Sequence, residues 1–324
     1  MKFLITINHL EKFGGAEKFV LNMTKSLLAQ THKVYLIALR VGQSYAAAIK
    51  LGAIPFENQQ VDAIIINHNS TFESIRNLAR KVPTFQICHG KFPYLEQPIS
   101  NLSGYFAVSP EVQNFLFTQG GIESKVMWNP VSKIEISSSI RDIDFLILCQ
   151  GQKANDLLKD LIPNQYICIY GNKHNNEIVD VEGLMKRTKV VIGTGRAIME
   201  GATYGCATFC MDSRHYDGLQ IIGVVSKENW KTLSTTNFSG REVEDKIDES
   251  DLLTSLQHLI NQWKSVAVHT EKLATLQHDS MLVTTQFVAN LQAQRNKPKW
   301  YQRFQVRDLR NAEEKAKWGN SKAI

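Results

Sequence analysis

The tightest constraint on the fold is an alternation that begins at the first residues. A short, nearly continuous apolar run is followed by a stretch with helical period, and the pair recurs down the chain. Runs at residues 3–7, 34–39, 63–66, 85–88, 105–108 and 126–128 are too short for helices and read as strands buried on both faces. Between several of them lie helical periods, clearest at 16–30, where Phe19, Leu21, Met23, Leu27 and Leu28 form a broad apolar stripe. Helices are also predicted at 70–81 and 110–119, the second opened by Ser109 as its cap and Pro110 in its first turn. Strand–helix alternation of this kind predicts a doubly wound parallel sheet.

The polar stretch 132–142 has no periodicity and reads as a linker. The alternation then restarts, with strands at 145–148, 166–170, 190–192 and 207–210 and helices at 153–161 and 197–204. Residues from about 250 to 295 are helical in pattern, with interruptions near His269 and His278. The expectation is an α/β chain of two facing, doubly wound, Rossmann-like domains at 1–135 and 140–275, with C-terminal helices and a tail at 276–324. Two such sheets would enclose a cleft at their carboxyl ends, where ligands of open α/β sheets bind.

Composition narrows the class. No apolar run approaches the roughly eighteen residues that a membrane-spanning helix needs. The N-terminus reads directly into a glycine loop, as a strand would and a cleaved signal would not. Five cysteines, an odd number and none in a CxxC pair, are expected to be buried small side chains in a reducing compartment, the cytoplasm. The net charge of +6 is uneven: residues 295–324 hold nine basic and three acidic side chains, so the rest of the chain balances. A neutral body disfavours a broad nucleic-acid footprint.

Several clusters follow predicted strands. Gly14 and Gly15 open the first helix, where a backbone free of side chains can approach a ligand or an anion. Gly195, Arg196, Ala197 and Glu200 open a later one: the amides near Gly195–Ala197 suit a diphosphate, and the Arg196 fork suits phosphate oxygens. Glu200, one turn on, suits a pair of ribose hydroxyls. His89 ends a buried strand and can meet a sugar hydroxyl or carry a proton. Arg214 and His215, in the loop 212–218, are further contact candidates. Each has an ordinary structural explanation when taken singly.

Together and in this order, Gly14-Gly15-Ala16-Glu17, His89-Gly90, Ala107-Val108-Ser109, Asn129-Pro130-Val131 and Gly195 to Glu200 followed by Gly205 resemble the family 4 glycosyltransferases of the GT-B fold. The resemblance covers about residues 1–220. It implies retaining transfer from a nucleoside-diphosphate sugar, of uridine type, to a glycan or lipid-linked hydroxyl acceptor, with no metal or other cofactor. It also implies His89 at the transferred sugar, Glu200 at the ribose, and Gly14–Gly15 at acceptor or phosphate. Lys153 would help neutralise the diphosphate. Two departures stand out. Gln152 takes the place of the family's arginine, and Ile192 that of a second glutamate eight residues before Glu200. They raise a competing expectation, a GT-B-like subunit that binds a partner transferase or glycan without turnover. A same-fold epimerase is a third reading, disfavoured by the opening glycines.

The basic tail, read as a helix over 296–320 with Trp300, Tyr301, Phe304 and Trp318, is expected to suit an anionic membrane surface at the inner face of the membrane. A nucleic-acid acceptor, less favoured, docking on a partner, a crossing back to the first domain through residues 300–304, and a solvated tail of equal standing are the alternatives.

Overall fold

The computed structural model describes residues 1–132, 140–171, 180–214, 218–241 and 243–295. The central part of the expected linker, the residues His215–Asp217 and the whole 296–324 tail lie outside them. The chain divides into two compact units, one of Met1–Pro130 with Ser280 onward, the other of Val131–Asp279.

The first unit opens with β1 (Lys2–Leu10), α1 (Gly15–Ala29), β2 (Lys33–Val41), α2 (Gln43–Leu51), β3 (Ile54–Pro55) and β4 (Ala63–Ile66). It continues through α3 (Phe72–Ala79), β5 (Thr84–Cys88), β6 (Gly104–Ala107), α4 (Pro110–Gly120) and β7 (Lys125–Val126), with short 3₁₀ turns at Asn69–Thr71 and Tyr94–Glu96. All seven strands are parallel in the order β3-β2-β1-β4-β5-β6-β7. Ile5 of β1 lies between Leu36 and Ile65, and all of Phe3, Leu4 and Ile5 are fully buried. Continuous hydrophobicity follows from that position, since the middle strand has helices on both faces. Strand order reverses between β1 and β4, the place where such sheets open a crevice at their carboxyl ends.

The second unit holds β8 (Ile143–Ile147), α5 (Gln152–Leu161), β9 (Cys168–Tyr170), α6 (Val181–Arg187), β10 (Thr188–Gly193), α7 (Arg196–Thr203), β11 (Ala207–Asp212), β12 (Gln220–Val224), α8 (Trp230–Thr235) and α9 (Glu249–His278). Its order is β9-β8-β10-β11-β12, with reversal between β8 and β10. The edge strand β12 runs antiparallel, so this sheet is not purely parallel as expected. Helix α9 runs unbroken through His269, whose Nδ1 faces the Ser265 carbonyl at 2.8 Å. The expected interruption there does not occur, because no glycine or proline lies between 249 and 278 to end a helix. The break falls at Asp279. There the two crossings of the chain pair, with the Val131 amide donating to the His278 carbonyl at 2.7 Å.

Helix α10 (Ser280–Arg295) then returns to the first unit. It packs beside α1 and buries Val283, Phe287 and Leu291, the Phe287 ring 4.7 Å from that of Phe106. Lys125 fastens it by donating to Asn290 Oδ1 at 2.7 Å.

One half-buried cation ties the base of the second sheet. Arg141 donates to the carbonyls of Met185, Thr188 and Tyr204, the last at 2.6 Å, and so serves the carboxyl ends of both α6 and α7. Its guanidinium also lies 5.3 Å from the Trp263 ring. Charge-assisted bonds to helix-end carbonyls are among the stronger kind. Arg141→Ala is therefore expected to lower the stability of this unit by about 2–3 kcal/mol, read by denaturant unfolding.

Candidate functional site

At the carboxyl ends of β8, β10 and β11 three loops are drawn onto one buried carboxylate, that of Asp212, which is 2% exposed. Its Oδ1 accepts from the amides of Gln150 (3.0 Å), Gly151 (3.1 Å) and Ser213 (2.8 Å). Its Oδ2 accepts from Thr194 Oγ1 at 3.0 Å and lies 3.1 Å from Arg214 Nε. One side chain thus sets the β8 loop, the β10 turn and the β11 loop in fixed relation at the reversal of strand order. Ser213 Oγ extends the arrangement by accepting the Ala154 amide in the first turn of α5 at 2.8 Å. Gly151 lies so close to the Ser213 backbone that a Cβ there would overlap it. Asn155, buried beneath, donates to the carbonyls of Cys149 and Gly151.

The turn into α7 needs its glycine. Gly195 sits at φ 58°, ψ −124°, a conformation essentially closed to residues with a Cβ. Its amide donates to the Phe238 carbonyl at 3.3 Å, and the Ala197 amide to the Thr194 carbonyl at 3.2 Å. The expectation of an open amide cradle over Gly195–Ala197 is corrected here, because two of its donors already have protein acceptors. Both bonds stand at the long end of the N–H···O range of about 2.7–3.2 Å, so a charged oxygen could compete for them.

Arg196 and Glu200, predicted to share a face, meet directly: Nε and Nη2 both donate to Glu200 Oε1, at 3.0 and 2.7 Å, with side chains 10% and 8% exposed. The pair holds the carboxylate oriented one turn inside the helix. Lys153 is exposed in the first turn of α5, at the end of β8. The two departures have plain physical outcomes. Ile192 is fully buried between Ile147 and Phe209 of the neighbouring strands, and it packs in the core. Gln152, standing for the arginine, donates to Asp156 on its own helix at 2.7 Å.

In the first unit, His89 follows β5 half-buried, its Nε2 3.0 Å from Asn67 Oδ1 and its ring edge-on to Phe19 at 4.7 Å. Asn67 Nδ2 donates to the Thr6 carbonyl, so its Oδ1 accepts and His89 Nε2 is the donor. Two further histidines end neighbouring strands. His68 stands 5.0 Å from His9 and 6.5 Å from His89, ring to ring, and burial, then the charge of His9, pulls its pKa down to about 4. It is neutral at physiological pH, and its Nδ1 accepts the Asn8 amide at 3.3 Å. His9 pairs with Glu17 at 3.3 Å. The Glu17 carboxylate, 5% exposed, folds back against Gly14, where a Cβ would collide with it. It therefore puts a negative charge over the α1 N-terminus, which weighs against a phosphate at Gly14–Gly15 and leaves the acceptor alternative.

Sequence reasoning missed His9 and His68, and missed the roles of Glu17 and Asp212 though both lie in motifs it marked. A signal existed for the histidines, since each ends or follows an apolar run; none existed for Asp212, whose partners Gln150 and Gly151 lie about sixty residues away and Thr194 eighteen. Among the described residues no group of three His, Cys, Asp or Glu side chains is placed to hold a metal ion, and no helix is long and apolar enough to cross a membrane.

No protein-family model matches the chain, and no curated protein matches it by sequence. Solved structures do resemble it. HepE of Anabaena, in complex with UDP and glucose, is 16% identical over 90% of this chain and 99% of its own, with a TM-score of 0.64. A glycosyltransferase from Rickettsia africae is 12% identical over 92% and 99%, at 0.61. A putative UDP-N-acetylglucosamine 2-epimerase from Listeria monocytogenes is 9% identical over 90% and 96%, at 0.56. The likeness establishes a GT-B fold of two Rossmann-like domains. The fold alone does not separate transferase from epimerase.

Proposed function

We propose that the chain is a glycosyltransferase that takes a sugar from a nucleoside diphosphate, of uridine type, to a glycan or lipid-linked hydroxyl acceptor. The observation that carries the reading is the convergence on Asp212. It fixes three strand-end loops around a glycine-only turn, at the strand-order reversal, next to a buried Arg196–Glu200 pair. A diphosphate would exchange the long bonds of the Gly195 and Ala197 amides for its own oxygens. Lys153 would add charge, and Glu200 would accept hydroxyl hydrogens from the ribose. Solved structures of the same fold that contain UDP support a donor of uridine type.

Catalysis would then rest on position and charge stabilisation rather than on a protein nucleophile. Retention, with the donor's own phosphate receiving the acceptor proton and no metal taking part, is the outcome the family resemblance favours. His89 is the first-unit side chain proposed to meet the transferred sugar. Free cysteines, four of the five buried, fit the cytoplasmic reading. A membrane-facing role for the 296–324 tail remains a proposal from its charge.

A second reading has its own support. Ile192 in the core and Gln152 turned onto Asp156 remove two donor contacts, which favours a binding subunit without turnover. Thermal unfolding with nucleoside diphosphates tests the first. UDP at about a hundred times its Kd should stabilise the protein by ~2.7 kcal/mol, and Glu200→Ala should abolish the effect. A shift that survives this substitution puts the donor elsewhere. Hydrolysis of UDP-sugars without acceptor separates enzyme from binding subunit: the enzyme releases UDP, the subunit does not.

A further inference from the structure

The loop after β5 contains a carboxylate that neither the fold nor the donor site uses. Glu96 closes the 3₁₀ turn Tyr94–Glu96, and its Oε2 rests against Gly90, where a Cβ would stand only 2.5 Å from it. Gly90 therefore leaves room for this carboxylate directly beside His89. Among the described residues, the Glu96 side chain has no hydrogen bond or ion pair. Its pKa is pushed up to about 7 by burial.

The loop holding it is fixed. Fully buried Gln86 donates to the Gln97 carbonyl (2.9 Å) and accepts the Ile99 amide (2.7 Å). Asn69 donates to the Tyr94 carbonyl at 2.7 Å, and Gln97 Nε2 to those of Lys91 and Pro93 at 3.0 and 3.2 Å. Several side chains are thus used to hold an unpaired, half-buried acid in place. The same loop exposes two aromatic rings, Phe92 at 50% and Tyr94 at 81%. Large exposed rings beside a desolvated carboxylate are a costly arrangement for a fold and a good one for a ligand with apolar ring faces and hydroxyl hydrogens.

We propose that the loop 91–97 is a binding subsite for a carbohydrate acceptor, with the pyranose face on Phe92 and Tyr94 and its hydroxyls donating to Glu96. This deepens the transferase reading and rests on it for the role of acceptor, while the geometry lies wholly in the first unit. The charged and titratable neighbours do not supply a competing partner. The Cys88 thiol is buried and its pKa raised by that burial, so it is neutral. Lys91 is held by Glu111 at 2.8 Å, and His89 is engaged with Asn67. An ionised carboxylate accepts hydroxyl hydrogens more strongly than a protonated one. Sugar binding should therefore strengthen as pH rises through about 7.

The test is saturation-transfer NMR on the full chain with methyl β-D-glucoside, methyl β-D-galactoside and methyl N-acetyl-β-D-glucosaminide, at about pH 5.5 and about pH 8. At least one should receive saturation, more strongly at the higher pH by roughly twofold or more. Glu96→Gln should flatten that dependence, and Phe92→Ala with Tyr94→Ala should remove the signal. Both variants should keep the UDP-induced thermal shift. No signal from any of the three glycosides, a signal indifferent to pH, or one that survives the aromatic substitutions would overturn the subsite. A wild type with no glycoside signal but an intact UDP shift condemns this inference alone. A wild type with no UDP shift condemns the donor reading instead.

Discussion

Asp212→Ala should destabilise the second unit by about 3–5 kcal/mol and abolish stabilisation by UDP. The magnitude follows from what is left behind. The carboxylate is 2% exposed and accepts three backbone amides and one hydroxyl while facing Arg214. Its removal leaves buried amide donors without this acceptor and takes a carboxylate from beside Arg214, which costs more than the net worth of the bonds themselves. Loss of UDP binding should go further than loss of stability, because the β8 loop, the β10 turn and the β11 loop no longer share an anchor. Asp212→Asn, which keeps one acceptor oxygen, should be intermediate in stability. Equilibrium denaturation and the UDP thermal shift measure the two effects separately, and a variant that loses neither would show the convergence to be incidental.

Gly151→Ala should be nearly as damaging, at about 2–4 kcal/mol, although it adds a single methyl group. The added carbon would overlap the backbone of Ser213, which no rotamer change can relieve. Ser213 is held through its own amide to Asp212 and through Oγ to the Ala154 amide, so the collision is transmitted to the same anchor. The double variant with Asp212→Ala should therefore cost clearly less than the sum of the two. Strict additivity would mean that the loops are not coupled through Asp212.

Glu96 adds a prediction in the opposite direction. Burial raises its carboxyl from an ordinary 4.5 to about 7, so the folded protein holds the proton to higher pH than the unfolded chain. That contribution to stability is fully present below the unfolded value and is lost as pH rises through about 7. Glu96→Gln should thus match the wild type near pH 4 and be the more stable protein at about pH 8, by a few degrees in Tm. A group that costs stability at working pH is what a binding role would maintain.

The strands were legible because burial on both faces leaves no room for polar residues: residues 63–66 and 85–88 could hardly be anything else, and β4 and β5 lie there. Elements that depend on the edge of a sheet were not. Two-residue β3, with both residues exposed, leaves no run to read, and nothing in the apolar run at 221–225 announces that β12 pairs antiparallel with a shift of register at Cys210–Met211. The Arg196–Glu200 pair followed from helical spacing alone, but not the fact that each partner uses the other. Gly195 was marked as a turn glycine, yet its required backbone angles and the Phe238 carbonyl opposite it come from a segment forty residues on. Asp212 was invisible for the same reason. A single aspartate after a strand looks like the start of any loop, and only tertiary structure shows what it gathers.

The central claim is that a nucleoside diphosphate binds at the turn into α7. It is tested most directly by titrating the 15N-labelled protein with UDP and following backbone amide resonances. The account predicts that Gly195, Ala197 and Gly151 shift most, as the Gly195 and Ala197 amides give up Phe238 and Thr194 for phosphate oxygens. Saturation with these three unmoved, or with the shifts confined to the first unit, would contradict it.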